Sequence, residues 1–393
     1  MENPDVVILS AARTAMGGFQ GELSSVSAPQ LGAAAIAGAV SRAGIKPEDV
    51  DETLMGNVLP AGLGQAPARQ ASIFAGLPDS VPCTTISKVC GSGMKAVMIA
   101  ADQVALGRAG IVVAGGMESM TNSPYILPKA RGGYRLGHGE IKDHMFLDGL
   151  EDAYEHRLMG TYAEDAARHY QFTREAQDAY ATESLARAKR ATTDGSFTDE
   201  IVAVKVSGKK GDVEITIDEQ PGKADPAKIP TLKPAFAKDG TVTAANSSSI
   251  SDGAAALVLT RADVAAKRGL KPLARIVAQA SHAAEPRWFT TAPVGAIDKV
   301  LKQAGWTKDD VDLFEINEAF ANVAMIAMRD LGLDHAKVNV NGGATALGHP
   351  IGASGARIVV TLLNALKRRG LKRGVASLCI GGGEATALAV ELI

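Results

Sequence analysis

The segment Ala43-Gly44-Ile45-Lys46-Pro47-Glu48-Asp49-Val50-Asp51 returns 261 positions later as Ala304-Gly305-Trp306-Thr307-Lys308-Asp309-Asp310-Val311-Asp312 (Asp51 to Asp312). Gly93-Met94-Lys95 is echoed 262 positions later by Gly355-Ala356-Arg357. Two matches in the same order at nearly one offset indicate a chain built from two related halves. Each match leads into an apolar helix and then a strand with glycines at its end, Val112-Val113-Ala114-Gly115-Gly116 and Leu378-Cys379-Ile380-Gly381-Gly382-Gly383.

Strand and helix patterns alternate through both halves. Strands are expected at Val6–Ser10, Glu52–Val58, Ile111–Ala114, Asp312–Ile316, Val338–Val340, Val375–Ile380 and Thr386–Ile393, and helices at Gln30–Arg42, Ser92–Leu106, Ala319–Asp330 and Ser354–Arg368. The strand runs are apolar on both faces, as in sheets covered by helices on each side, and predict an α/β protein. Glycine numbers 42 of 393 residues while aromatics make up 4%, a composition suited to close helix–sheet packing and to turns near a ligand.

Residues 120–247 have no counterpart in the other half. They hold two polar helical stretches, Thr161–Tyr170 and Arg174–Arg190, and a Lys/Gly/Pro-rich run, Lys205–Pro234. This divides the chain into an N-terminal half (1–119 with 248–269), an inserted segment (120–247) lying over one end of the core, and a C-terminal half (270–393). Insertions of this kind usually carry specificity.

Charge and hydropathy narrow the function. Lys+Arg 41 against Asp+Glu 43 gives a net charge of −2, without the basic excess of nucleic-acid binders. No apolar run is long enough to span a membrane. The start, Met1-Glu2-Asn3-Pro4-Asp5, lacks the basic and apolar regions of a signal peptide, so a cytoplasmic protein is expected. Three cysteines are too few and too odd in number for a disulfide framework.

Cys90 falls between a short strand and a helix, in Ser87-Lys88-Val89-Cys90-Gly91-Ser92-Gly93. A thiol there meets the positive end of the helix dipole, which predicts a lowered pKa and a nucleophilic thiolate. A buried structural cysteine fits the same position. His349, in Gly348-His349-Pro350-Ile351-Gly352, stands near the repeat position of Val89–Cys90 among small residues that leave its ring accessible. It reads as a general base or as a structural histidine. Cys379 reads as a core strand cysteine, yet the glycines after it free backbone N–H groups for an oxyanion hole. Asn317 sits at a strand-to-helix junction, where it also suits a helix cap. Cys83 reads as structural, and the remaining histidines lack metal-ligand spacing.

The segments Ser87–Lys95, Asn317-Glu318-Ala319-Phe320, Gly348–Arg357 and Cys379–Gly383 together resemble the thiolase family, most closely its biosynthetic branch, over essentially the whole chain. The resemblance implies a duplicated five-layered α-β-α-β-α fold with the insertion as a loop domain, and a homotetramer built as a dimer of dimers. The implied activity is acetyl-CoA C-acetyl transfer, the reversible Claisen condensation of two acetyl-CoA into acetoacetyl-CoA and CoA. An alternative within the family is a degradative 3-ketoacyl-CoA thiolase with broader chain-length range. A cysteine peptidase leaves Cys379 and the duplication unexplained, and an inactive acyl-CoA-binding module has no need of both cysteines, the histidine and the asparagine together.

By resemblance Cys90 carries the acyl group, Cys379 removes the α-proton, and His349 activates Cys90. With a water held by Asn317, His349 also stabilises the enolate oxygen, while the N–H groups of Cys90 and Gly381 bind the thioester oxygen. Ser248, Leu158, Met159, Phe236, Phe289, Ala319 and Phe320 are implied to line the acyl and pantetheine tunnel. Coenzyme A thioesters are substrates, and no metal or other cofactor is implied. Three departures stand out: Leu158 replaces a common histidine, Glu384 follows the glycine run where methionine is common, and the arginine often facing the CoA phosphate is absent near Gln220–Lys223. Lys223 or Lys228 is its substitute on this reading.

Overall fold

The computed structural model describes residues 5–208 and 211–393. Met1–Pro4, where a signal peptide was sought, and Lys209-Lys210 of the Lys/Gly/Pro-rich run lie outside the described residues. No helix among the described residues is long and apolar enough to cross a membrane.

Nine strands form the main path of the central sheet: β1 (Val6–Thr14), β2 (Glu52–Gly56), β3 (Cys83–Ile86), β4 (Ile111–Ser119), β5 (Ser251–Arg261), β6 (Ala274–Ala283), β7 (Leu313–Ile316), β8 (Arg373–Ile380) and β9 (Glu384–Leu392). Their order is β7-β8-β9-β6-β1-β5-β4-β2-β3. The strands of the two halves pair where β1 meets β6, through Val7 opposite Arg275 and Ile8 opposite Ala274. On either side of that seam the sequence of strand types is the same, and β7-β8-β9-β6 mirrors β2-β4-β5-β1.

The main helices are α1 (Ala28–Ala43), α2 (Ser92–Ala105), α3 (Met159–Tyr170), α4 (Arg174–Thr193), α5 (Ala292–Ala304), α6 (Ala321–Leu331) and α7 (Ile351–Arg369). Alternation along the strands sorts their side chains into separate cores. Val112, Ala114, Leu257 and Leu259 share a central core with Ala376, Leu378, Leu388 and Val390 of the other half, filled by α2 and α7. Val113 and Val258 face outward onto α1, and Val375 and Ala387 face outward onto α5 and α6. Helix, sheet, helix pair, sheet and helix therefore stack as five layers.

The repeated segment does the same work twice. Gly44 and Gly305 end α1 and α5 at φ +66° and +68°, a left-handed cap that glycine adopts freely. Asp49 and Asp310 each accept a backbone N–H three residues back at 2.8 Å. Asp51 accepts the N–H groups of Gly110 and Ile111 at 2.8 Å, pinning the start of β4. Asp312 accepts those of Lys372 and Arg373 at 2.9 Å at the start of β8.

Four local expectations change. The strand expected over Ile111–Ala114 continues through Gly115 and Gly116 to Ser119. Both glycines sit where packing leaves no room for a side chain: a Cβ on Gly116 would stand 2.0 Å from the Gly352 carbonyl of α7, and one on Gly115 2.0 Å from the Ala255 carbonyl of β5. The strand expected at Val338–Val340 reduces to a single bridge, Val338 beside Phe314, because Asn339 turns to φ +48°. Helix α6 begins at Ala321, since Phe320 is extended and bridges Ser247. Helix α7 begins at Ile351, a turn before Ser354, with Pro350 preset at its cap.

Between β4 and β5, α3 and α4 pack against the C-terminal half. The Glu318 carboxylate draws this segment in, accepting hydrogen bonds from Tyr180 Oη and Ser184 Oγ on α4 at 2.8 Å, from Asn339 Nδ2 at 2.8 Å and from Thr345 Oγ1 at 2.6 Å.

Candidate active site

Cys90 lies in a turn rather than in the helix that follows. Val89 is held at φ +45°, a conformation costly for a β-branched residue. Ser92 supports it: Ser92 Oγ accepts from the Lys88 N–H at 2.8 Å and donates to the Val89 carbonyl at 2.7 Å. The turn places the half-buried Cys90 on the wall of a cavity of about 360 Å³.

Across the cavity, His349 is 6% exposed. The small residues beside it, expected to leave the ring accessible, instead let the chain close over it; Gly348, at φ +101°, has Ser251 Oγ where a Cβ would sit. Ser354 Oγ donates to the Pro350 carbonyl at 2.9 Å, so toward His349 it acts as acceptor, and Nδ1–H donates to it at 2.5 Å. That network assigns the proton to Nδ1 and leaves Nε2 with a free lone pair. Burial, reinforced by the Arg357 charge, lowers the His349 pKa to about 3, so the ring is neutral and basic at Nε2. Asn317 Nδ2 stands 3.5 Å from that nitrogen. Asn317 Oδ1 is buried and has no hydrogen-bond partner among the described residues.

Cys379 is fully buried on β8, two residues before Gly381. Its pKa is raised well above the ordinary thiol value, first by burial and then by the neighbouring Cys90. The two thiols are close enough that a charge on one disfavours a charge on the other. Gly381 opens the three-glycine turn between β8 and β9, and its backbone N–H reaches the Cys90 thiol, as does the N–H of Cys90 itself.

The thiol pKa differs from the sequence expectation. The helix start was expected to lower it; burial pushes the Cys90 thiol up to about 11, with a smaller upward push from Glu118, against the two N–H donors. Desolvation outweighs the dipole because the thiol faces an enclosed, largely apolar cavity rather than open solvent. The resting group is therefore a thiol.

Leu158, Met159, Phe236, Ser248, Phe289, Ala319, Phe320 and Gly381 share the cavity wall with Cys90 and His349. Phe320 meets Phe236 and Phe289 edge-to-face at 6.0 and 6.3 Å. Asn317 and Cys379 do not line the wall; Asn317 reaches it through His349, and Cys379 through its neighbours. Cys83 is half-buried at the start of β3, its thiol donating to the Val81 carbonyl at 3.3 Å. Among the described residues no group of three or more His, Cys, Asp and Glu side chains is arranged to hold a metal ion.

Sequence reasoning missed the carboxylate that shapes this site. Glu118 is fully buried and accepts from Asn57 Nδ2 at 2.6 Å, from the Val58 and Leu59 N–H groups at 3.0 and 3.1 Å, and from the Gly352 N–H at 2.8 Å. It ties the β2 loop to the first turn of the His349 helix. Burial raises its pKa to about 7. A charged residue at the end of a strand buried on both faces was the signal. Lys88 and Glu384 form an ion pair that was also missed, since they stand 296 positions apart.

Comparison with known proteins matches residues 6–263 to the family profile for the thiolase N-terminal domain and residues 270–392 to that for the thiolase C-terminal domain. The acetyl-CoA acetyltransferase of Allochromatium vinosum is 51% identical over 391 residues, covering 99% of each chain. That of Cupriavidus necator is 53% identical, covering 98% of this chain and 99% of its own. Among solved structures, the Bacillus anthracis acetyl-CoA acetyltransferase superposes with a TM-score of 0.97 at 44% identity, over 99% of both chains. A thiolase from Ascaris suum in complex with coenzyme A gives 0.93 at 45% identity, over 99% of this chain and 100% of its own. With both halves matched and the duplicated layers in place around Cys90 and His349, the chain belongs to the thiolase family.

Proposed function

We propose that this protein is an acetyl-CoA C-acetyltransferase that joins two acetyl-CoA into acetoacetyl-CoA and CoA, reversibly, through an acyl-Cys90 intermediate. The convergence of Cys90, His349 and the Gly381 N–H on one cavity carries this reading.

In the first half-reaction Cys90 Sγ attacks the thioester carbonyl of acetyl-CoA while the neutral His349 Nε2 takes the thiol proton. The Sγ–acyl bond forms, the bond to the CoA sulfur breaks, and the departing sulfur receives that proton. The N–H groups of Cys90 and Gly381 are oxyanion donors for the developing negative oxygen. In the second half-reaction Cys379 first passes its own thiol proton to the neutral His349 Nε2. As thiolate it then removes the α-proton of a second acetyl-CoA, the carbanion attacks the acyl carbon, and the Cys90 thiolate released takes the proton back from His349. The unpartnered Asn317 Oδ1 suits a water that, with His349, holds the enolate oxygen. These steps run on thiols, an imidazole and backbone donors, without a metal or a redox cofactor.

A second groove shares Ala244 and Ser249 with the site cavity and is lined by Lys223 and Lys228, although Lys223 is ion-paired with Glu219. It is a fitting course for the CoA arm, with Lys228 as the cation for its phosphates. Exposed apolar side chains at Tyr125, Leu127, Leu136 and Ile141 support assembly into a homotetramer.

The test is incubation with acetyl-labelled acetyl-CoA followed by peptide mapping. Label on the Cys90 peptide is expected; label on Cys379 alone would overturn the assignment. The apolar wall of Leu158, Phe146, Leu150 and Phe289 favours a second reading, transfer from longer 3-ketoacyl-CoA substrates. Each buried methylene is worth about 0.8 kcal/mol. Leu158→His is therefore expected to lower kcat/KM for 3-ketohexanoyl-CoA more than for acetoacetyl-CoA. Equal changes for both substrates would remove Leu158 from chain-length selection.

A further inference from the structure

The nucleophile belongs to one half of the duplication and its oxyanion donor to the other. Cys90 lies in the turn before α2, Gly381 in the glycine turn between β8 and β9. Both turns are left-handed where they matter, Val89 at φ +45° and Gly382 and Gly383 at +91° and +88°. Each is tied within its own half. The Gly91 N–H donates to the Lys88 carbonyl at 3.0 Å, the Ser92 N–H to that of Val89 at 3.1 Å, and the Ala284 N–H to that of Gly383 at 2.8 Å. None of these bonds sets the distance between the two turns.

Contacts between the two turns are of three kinds among the described residues: packing, a backbone donor and an ion pair. Gly91 lies so close to Ile380 that a Cβ there would meet Ile380 Cδ1 at 2.3 Å. The Gly381 N–H reaches the Cys90 thiol. Lys88 Nζ, two residues before Cys90, bonds to Glu384 Oε2, three residues after Gly381, in the one ion pair between these turns among the described residues. The two side chains are 23% and 38% exposed, where an ion pair contributes little to global stability. Its opposite charges are in contact and largely cancel at a distance, which leaves placement as its means of acting on Cys90.

We propose that the Lys88–Glu384 ion pair is a positioning clamp that holds the Gly381 N–H against Cys90 across the two halves. This rests on the acyl-transfer reading of the same site. Lys88 and Glu384 are positioning residues, acting through the turns that carry the reacting groups.

The experiment compares four full-length proteins: wild type, Lys88→Gln, Glu384→Gln and the charge swap Lys88→Glu with Glu384→Lys. Two quantities are measured on each, the kcat and KM for acetyl transfer and the pH profile of Cys90 alkylation by iodoacetamide in the absence of substrate. Misplacement of a catalytic donor lowers turnover, so both single variants are expected to lose roughly tenfold in kcat with KM little changed. Both are also expected to titrate Cys90 at higher pH, because the thiolate loses an N–H donor in each case. The charge swap is expected to recover most of the loss.

A field effect predicts shifts of opposite sign in the two single variants, and Glu384→Gln tells it from the clamp: an unmasked Lys88 there would lower the Cys90 pKa, which would overturn the clamp, whereas Lys88→Gln raises it on either account. Unchanged kcat and alkylation in both single variants would also overturn it. If wild type transfers no acetyl group, the proposed function fails, and the alkylation profiles decide the clamp by themselves.

Discussion

Aligned at an offset of 262 residues, Ser92-Gly93 of α2 falls on Ser354-Gly355 of α7, and Cys90 falls on Gly352. Both serines bond back to a carbonyl before them, Ser92 to Val89 and Ser354 to Pro350. Both glycines lie at the crossing of the two helices: a Cβ on Gly93 would stand 2.9 Å from Ala356 N, and one on Gly355 2.5 Å from Met94 N. The halves part in the preceding turn. Residues 351–353 are helical, whereas Val89 turns left-handed and leaves Cys90 outside its helix. Duplication supplied two equivalent helix starts facing each other. Unwinding one of them placed a thiol on the cavity wall, and the continuous one keeps a buried, neutral imidazole two residues before its first turn. One frame thus holds a thiol on the cavity wall and a buried neutral imidazole across from it, in surroundings neither half supplies alone.

The largest test of this division is a pair of cysteine substitutions, one in each half. Cys90→Ala is expected to abolish acyl-enzyme formation and condensation together, by about four orders of magnitude or more. Cys379→Ser is expected to keep acyl transfer to Cys90 while carbanion formation collapses, because a hydroxyl is a far weaker base than a thiolate near neutral pH. Rapid-quench measurement of acyl-enzyme beside steady-state condensation separates the two. Equal losses in both steps for Cys379→Ser would mean that the halves do not divide the chemistry.

A smaller effect is expected at the helix crossing. Gly93→Ala and Gly355→Ala each push a methyl group into backbone of the opposite helix, an overpacking worth about 1–3 kcal/mol. Thermal denaturation should show both variants destabilised, Gly355→Ala the more because its clash is closer. Destabilisation by only one would show that the crossing is not equivalent from its two sides.

The smallest effect concerns the repeated segment itself. Asp51→Ala and Asp312→Ala each remove an acceptor for two backbone N–H groups at an exposed strand start, at about 1 kcal/mol per variant. Matching shifts in melting temperature would confirm that the repeat does one job twice. A shift confined to Asp312→Ala would tie the role to the C-terminal half.

Much of this was legible in the chain. The nine-residue repeat marked the two related halves because its glycines and aspartates act on backbone a few residues away or on the next strand of the same half, so each copy needs the same residues. The strands of both halves were visible because residues buried on both faces must be apolar. Gly115 and Gly116 misled: they read as the end of the strand, because the segments that require their bare backbone, Ala255 of β5 and Gly352 of α7, lie far away along the chain. Asn339 misled in the other direction, its left-handed turn ending what composition presented as a strand.

Local chemistry on a repeating frame is what the sequence by itself determined: two halves, a cysteine at a strand-to-helix junction, and a histidine and a second cysteine near equivalent helix and strand ends. Those features follow from residues within a turn or two of one another. The tertiary structure decided the quantities that depend on the sum of distant neighbours. Whether Cys90 rests as a thiol was settled by the burial that overrides its helix start. Which nitrogen of His349 carries the proton was settled by Ser354, and its neutrality by the packing that removes water from the ring. Desolvation is a property of everything within reach of a group, and no spacing of residues along a chain encodes it.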